Sequence, residues 1–538
     1  MPAPTTRSST PATIGTRRRN LLDGLVLSAV TILLRLPAYF APKHLSFDDG
    51  VFASSVIAMR DGGAPFRDVF SSQGPLFLPL AYLGDLVGFR TIDSPRVLAV
   101  LSGVGIVLGV YWTALQFTDR VGALVAGGLA ATSGSLMWVT GPLAADGPAL
   151  AFVVLTLGLT LRLRDHPTYW RAALVGLALG ATLSTKALEA PVLLPVAIVL
   201  AAPVLNAARR HSFDVVAVLR GLVAGAAATF VFLAISAPFG FADVWDQSFR
   251  YRTDAAADKA PSANAGKLIS TLWDRDLVLL LFCAVALAVG VVAYRRTGSA
   301  RVTEHPEDAS WGSQRPGKGD AGPAQGAERP TAQDPPEAAP RSGWLPSSRL
   351  LVTSWAILSA LWLIVVVSPL WRPHVSAMAL PLVLLVAMYR PPIKVVLIAA
   401  VCSVPLLVVQ LDGLLAPADY TGAEAEIVVA LRELPDGAWV LSDEPGLVWR
   451  AGRRTTDDLV DTSMLRVQQG RYTEKSLADA AADPRVCAVV VRSEDRFGYF
   501  PGLGDRLRVE GYEVTLRPTT QAGDDQRLYV RSDCDPTI

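Results

Sequence analysis

Residues 17–50 read RRRNLLDGLVLSAVTILLRLPAYFAPKHLSFDDG. Three arginines precede an apolar run over residues 21–41, and two adjacent carboxylates, Asp48 and Asp49, follow just beyond it. A run of that length crosses the hydrocarbon core of a bilayer as a helix, and positive residues ahead of it keep that end in the cytoplasm. The run lacks a small-residue cleavage pattern, so it reads as an uncleaved first helix rather than a targeting peptide. Residues 1–20 are then a cytoplasmic tail, and Asp48 and Asp49 open the first outer loop.

The rest of the chain repeats this pattern. Its 538 residues are 51% hydrophobic and only 18% charged, with a mean hydropathy of +0.37, too apolar for a soluble enzyme. Further apolar runs fall near 95–117, 121–140, 147–163, 171–187, 190–206, 218–237, 276–294, 350–369, 375–389 and 393–412, giving eleven expected spans. Basic residues mark every second connection: Arg162, Arg164 and Arg171; Arg209, Arg210 and Arg220; Arg295 and Arg296; Arg390 and Lys394. The intervening loops carry no such excess, the long loop 238–275 offsetting its basic residues with five aspartates. This places the amino terminus inside and, after eleven spans, the carboxy terminus outside. The net charge of +1 points to no charged partner, and no nucleic acid is expected.

Two regions lie outside the membrane pattern. Residues 297–348 are rich in Pro, Gly, Ala and charge without apolar period, the composition of a disordered loop, here cytoplasmic. Residues 413–538 contain strand-like stretches (AWVLSD, VCAVVVRS, YEVTLR, RLYVRS) and helical ones (EAEIVVALREL, EKSLADAAA), so a small α/β domain outside the membrane is expected. Of four cysteines, Cys283 and Cys402 fall in spans and read as packing residues. Cys487 and Cys534 fall in the exported domain, where a disulfide is permitted.

Several polar residues gather at the outer ends of spans: Asp48 and Asp49, Asp146 at the fourth, Lys186 at the fifth and His374 at the tenth. Charge near hydrocarbon is costly unless paired, solvated or functional, and one-sided clustering suits a site at the lipid interface. Each also has a plainer reading. Asp48 and Asp49 before Gly50, and Asp146 before Gly-Pro, suit helix N-caps; Lys186 is long enough to snorkel; Arg67 and Asp68 read as a local ion pair.

The segment FDDGVFASSVIAMRDGGAPFRDVFSSQGPLFLPLAYLGDLVG, in the first outer loop (residues 42–94), resembles the corresponding loop of the GT-C superfamily, in the branch holding the aminoarabinose transferase and the protein mannosyltransferases. AADGPALAFVVL is similar to that family's second acidic position, LSTKALEAPVLL to its Lys-containing helix end, and SPLWRPHVSAMALPLVLL to its late His segment. Gln73 and Gly74 stand where aminoarabinose transferase relatives often carry Lys-Pro. The resemblance covers residues 21–412 as an architecture and implies a polytopic α-helical, GT-C-like membrane protein. It also implies transfer of a sugar from a polyprenyl-phosphate donor to a hydroxyl of a glycan, lipid or protein acceptor at the outer face of the cell membrane. Asp48 would be the general base, with Asp49 the other candidate, and direct attack would invert the anomeric centre. Lys186, Arg372 and His374 would meet the leaving phosphate. Asp146 is open to three roles: orienting the acceptor, holding a divalent cation with His374, or keeping a cation in place. The competing readings from other classes are a transporter or flippase of a lipid-linked saccharide and a non-catalytic envelope scaffold.

Overall fold

The computed structural model describes residues 14–255, 261–302, 345–389, 391–516 and 526–534. Most of the segment 297–348, the first part of the tail and Arg390 lie outside the described residues.

The membrane part begins with α1 (Ile14–Tyr39), followed in the first outer loop by α2 (Phe47–Arg60) and α3 (Phe77–Val87). Then come α4 (Val97–Ala114), α5 (Arg120–Thr132), α6 (Gly134–Thr140), α7 (Asp146–Asp165), α8 (Tyr169–Thr185), α9 (Leu193–Arg209) and α10 (Val215–Ser236). Two short helices, α11 (Phe241–Trp245) and α12 (Tyr251–Ala255), lead to α13 (Pro261–Val302), α14 (Ser348–Leu361), α15 (Ser376–Tyr389) and α16 (Ile393–Leu415). Among the described residues nine helices are long and apolar enough to cross a membrane, or ten if α5 and α6, bent by 58°, form one span.

Two of the eleven expected spans depart from a single long helix. The run 121–140 is broken, because Ser133 takes an extended conformation and its side chain caps α6 at Leu136 N. Side chains from other helices fill the break: Asp276 accepts a 2.7 Å hydrogen bond from Ser133 Oγ, and Arg35 donates to Thr140 Oγ1 at 2.8 Å and to Ala131 O. The run 171–187 forms α8, only 17 residues long. It lies hard against α10, since a Cβ at Gly176 or Gly180 would strike the α10 backbone at Ala224 and Ala228.

The carboxy-terminal domain carries α17 (Ala423–Arg432), α18 (Pro445–Arg450), α19 (Met464–Gln468), α20 (Glu474–Ala481) and α21 (Leu503–Val509) around one sheet. Its strands are β1 (Trp439–Ser442), β2 (Val486–Val491), β3 (Tyr512–Leu516) and β4 (Arg527–Arg531), in the order β1-β2-β4-β3. β1 and β2 are parallel and the other pairs antiparallel. From Ala488 onward the strand period of two sorts β2. Val489 packs with α20 and α21 on one face, through Leu477, Ala481, Leu503 and Leu507. Ala488 and Val490 pack with α17 and α18 on the other, through Ile427, Leu431, Leu447 and Val448.

Cys487 and Cys534 are joined in a disulfide that closes a loop of 47 residues. Removing it by the double Ser substitution is expected to destabilise this domain by about 2–4 kcal/mol through the unfolded chain's regained freedom. Urea unfolding of the carboxy-terminal domain in the full-length protein, with and without reductant, measures this; coincident curves contradict it. Cys283 is partly packed in the membrane core, whereas Cys402 is exposed on α16, which corrects its reading as a packing residue.

Candidate active site

The loop 42–94 is built around a buried arginine. Arg96, wholly buried at the start of α4, donates to the carbonyls of Ala38, Ala41 and Lys43, which end α1 and open the loop. Its Nη2 also meets Asp49 Oδ2 at 2.6 Å with both side chains fully buried, and its guanidinium lies 4.8 Å from the Trp449 ring of α18. Asp49 accepts two further bonds, from Leu45 N at 2.9 Å and Leu143 N at 2.8 Å. The candidate Asp49 is thus the counter-ion that pins loop, membrane helix and outer domain together, and it does not line the cavity described below. Burial by itself would raise its carboxyl, but Arg96 and the two amides hold it below the usual range.

Neither acid caps the helix. Ser46 is the N-cap of α2, accepting from Asp49 N at 3.2 Å, and this replaces the capping reading. One residue on a helix turns a side chain by about 100°. While Asp49 points to Arg96, Asp48 lines a cavity of about 460 Å³. Asp48 is half-buried, and the loss of water around it pushes its carboxyl up to about 6. The Lys186 charge opposes that rise, and Asp146 and Asp461 add to it.

Lys186 and His374 line the same cavity. Lys186 ends α8 and gives its ammonium to Asp146 Oδ2 at 2.6 Å, with both side chains nearly fully buried. Asp146 opens α7 and stands behind Lys186, outside the cavity lining. His374, buried, sits in the short turn Arg372–Val375 ahead of α15. Arg372 departs from expectation. It is 54% exposed in its side chain, loosely paired with Asp274 at 3.4 Å, and absent from the cavity lining. Arg67 and Asp68 form the exposed local pair that was expected, at 3.3 Å.

Two contributions were not foreseen. Arg252, on α12, lines the cavity and is held by its Nε bond to Ser72 O at 3.0 Å. In the sequence it is masked by the charge balance of the loop 238–275. The carboxy-terminal domain supplies further parts of the wall, including Asp461, Ser463, Ser493, Asp495 and Arg496. That domain is fastened to the loop by Arg450, which donates to Pro42 O and Ala41 O and pairs with Asp93 at 2.7 Å, and by the His44–Glu444 contact at 3.2 Å. α2 and α18 touch backbone to backbone, because a Cβ on Gly50 would collide with Gly446. Glu444, which burial alone would raise, is pulled down to about 2 by His44 and Arg496.

The donor set does not suit a divalent cation. Asp146 is taken by Lys186, and among the described residues no three His, Cys, Asp or Glu side chains come together as metal ligands. No step below is routed through a metal.

The family model described as dolichyl-phosphate-mannose-protein mannosyltransferase matches residues 73–235. Over nearly its whole length the chain superposes on ArnT from Cupriavidus metallidurans bound to undecaprenyl phosphate, with a TM-score of 0.54 and 14% identity, covering 98% of this chain and 100% of that one. The chain has the GT-C fold. The chain is also similar to AglB from Archaeoglobus fulgidus in complex with an inhibitory peptide and a dolichol-phosphate, at a TM-score of 0.49 and 12% identity, covering 98% of this chain and 75% of that one. No curated protein sequence matches the chain significantly. Family match and shared architecture together support a glycosyltransferase of the GT-C type.

Proposed function

We propose that this chain is a membrane glycosyltransferase that moves a sugar from a polyprenyl-phosphate donor to a hydroxyl acceptor at the outer face of the cell membrane. The observation that carries the reading is Asp48, half-buried in a cavity it shares with Lys186, His374 and Arg252. A hydroxyl is a poor nucleophile until its proton is taken, and a carboxylate with a raised pKa is suited to take it. In the proposed step Asp48 accepts the acceptor's proton as the oxygen forms its bond to the anomeric carbon. The carbon–oxygen bond to phosphate breaks on the opposite face, so the anomeric centre inverts. The charge left on the phosphate is met by Lys186 and Arg252, with His374 as a hydrogen-bond partner. Asp146 holds the Lys186 ammonium at the cavity wall and is a positioning residue.

Two outcomes follow. Because Asp48 works as its carboxylate and burial pushes it up to about 6, kcat/KM for transfer is expected to fall about tenfold for each pH unit below ~6. A flat profile between pH 4.5 and 7 contradicts that role. Reporter fusions after residues 165, 210 and 392 are expected to read cytoplasm, and fusions at 250 and 538 outside. A cytoplasmic carboxy terminus would put the cavity on the wrong side of the membrane. The function is tested by incubating the purified protein with a polyprenyl-phosphate sugar and an acceptor glycoside, then reading the product's anomeric configuration by NMR. An inverted product is expected; a retained one contradicts the direct displacement.

A further inference from the structure

The cavity is polarised. The wall from the helical part carries Lys186, His374 and Arg252 beside the single acid Asp48, whereas the carboxy-terminal domain contributes Asp461, Ser463, Ser493 and Asp495. Asp461 is 5% exposed, and the backbone around it is fixed. Its carbonyl accepts from Arg466 Nη1 at 2.8 Å and from Tyr472 OH at 2.7 Å. Its Oδ1 accepts from Ser463 N at 3.0 Å, and Ser463 Oγ lies 3.1 Å from Tyr251 OH on α12. Arg466, which anchors this loop, is itself stacked between Phe70 of the first outer loop, at 3.8 Å, and Tyr472, at 4.4 Å. The remaining cation of this wall, Arg496, is turned to Glu444 at 2.9 Å.

Resting on the glycosyltransferase reading, we propose that the outer domain forms the acceptor subsite, with Asp461 accepting hydrogen bonds from acceptor hydroxyls, and that the acceptor is a neutral saccharide rather than an anionic one. A carboxylate held rigidly in a water-poor wall is a strong acceptor for sugar hydroxyls. The same charge repels a carboxylate or phosphate placed against it, so one side chain both binds the neutral acceptor and discriminates against the charged one. Ser463 and Ser493 add neutral hydroxyl partners, and Asp495 at the exposed mouth extends the negative field toward the entrance. The cations other than Arg496 come from the helical part of the chain, where the donor's phosphate is placed by the glycosyltransferase reading. The outer domain is then part of the active site as well as its cover.

The test uses full-length protein in lipid nanodiscs with a saturating polyprenyl-phosphate sugar. Transfer is followed against a neutral glycoside acceptor and its uronic-acid analogue, beside hydrolysis of the donor without acceptor. Asp461→Asn is expected to raise the neutral acceptor's KM about tenfold and to narrow the preference for neutral over anionic acceptor. Asp495→Asn, at an exposed position, is expected to narrow the same preference. An unchanged acceptor preference in both variants of a protein that transfers sugar overturns the inference alone, as does a fall in kcat with the neutral acceptor's KM unchanged in Asp461→Asn. Absence of both transfer and hydrolysis in the unaltered protein overturns the glycosyltransferase reading and this inference with it.

Discussion

Asp48→Asn is expected to lower turnover by about 10²- to 10⁴-fold while leaving the protein folded. The substitution keeps the shape of the side chain and removes only its capacity to accept a proton. Nothing structural depends on the charge. The N-cap of α2 is Ser46, the buried ion pair of the loop belongs to Asp49, and Asp48 faces the cavity. The fold loses at most the attraction of an acid for the first turn of a helix, about 0.3–1 kcal/mol. Turnover measured on purified protein at matched thermal stability separates the two effects. Near-normal turnover removes Asp48 from the mechanism.

The neighbouring substitution is expected to do the reverse. Asp49→Asn leaves the Arg96 guanidinium buried without a counter-charge, and breaking such a pair from one side costs about 3–5 kcal/mol. The loss falls on the joint between the end of α1, the first outer loop and α18, since Arg96 also binds the carbonyls there and packs on Trp449. The pH dependence has a definite sign. A carboxyl held below its ordinary value in the folded protein contributes stability that is complete above about pH 4 and is lost as the pH falls toward the lowered value. Unaltered protein should therefore lose this contribution only in acid, whereas Asp49→Asn lacks it at every pH. Thermal unfolding in detergent between pH 3 and 7 reads both. An Asp49→Asn protein as stable as the parent at pH 7 contradicts the assigned role.

That two identical neighbours carry opposite roles explains how far the sequence could be read. The apolar runs and their basic flanks placed the long helices, and alternating β-branched residues placed all four strands, because both patterns record burial directly. The break at Ser133 left no mark, since the residues on either side are as apolar as in an unbroken span and the bend depends on Arg35 and Asp276 from distant helices. FDDG announced a site but could not say which acid faces it, because the partner that claims Asp49 lies 47 residues further on. Lys186 and His374 were legible as charges near hydrocarbon. Arg252 and Asp461 were not, because in polar outer segments a wall residue has the same appearance as any solvated charge. Arg372 failed for the opposite reason, adjacency to His374 in a turn that sends the two side chains apart.

The most direct test of the central claim is transfer of radiolabel from a panel of polyprenyl-phosphate sugars to a hydroxyl acceptor by the purified protein in lipid nanodiscs, with Asp48→Asn alongside. The account predicts that at least one donor yields a labelled product and free polyprenyl phosphate, and that the variant loses at least about 99% of that rate. No transfer from any donor, or equal transfer by the parent and Asp48→Asn, would contradict it.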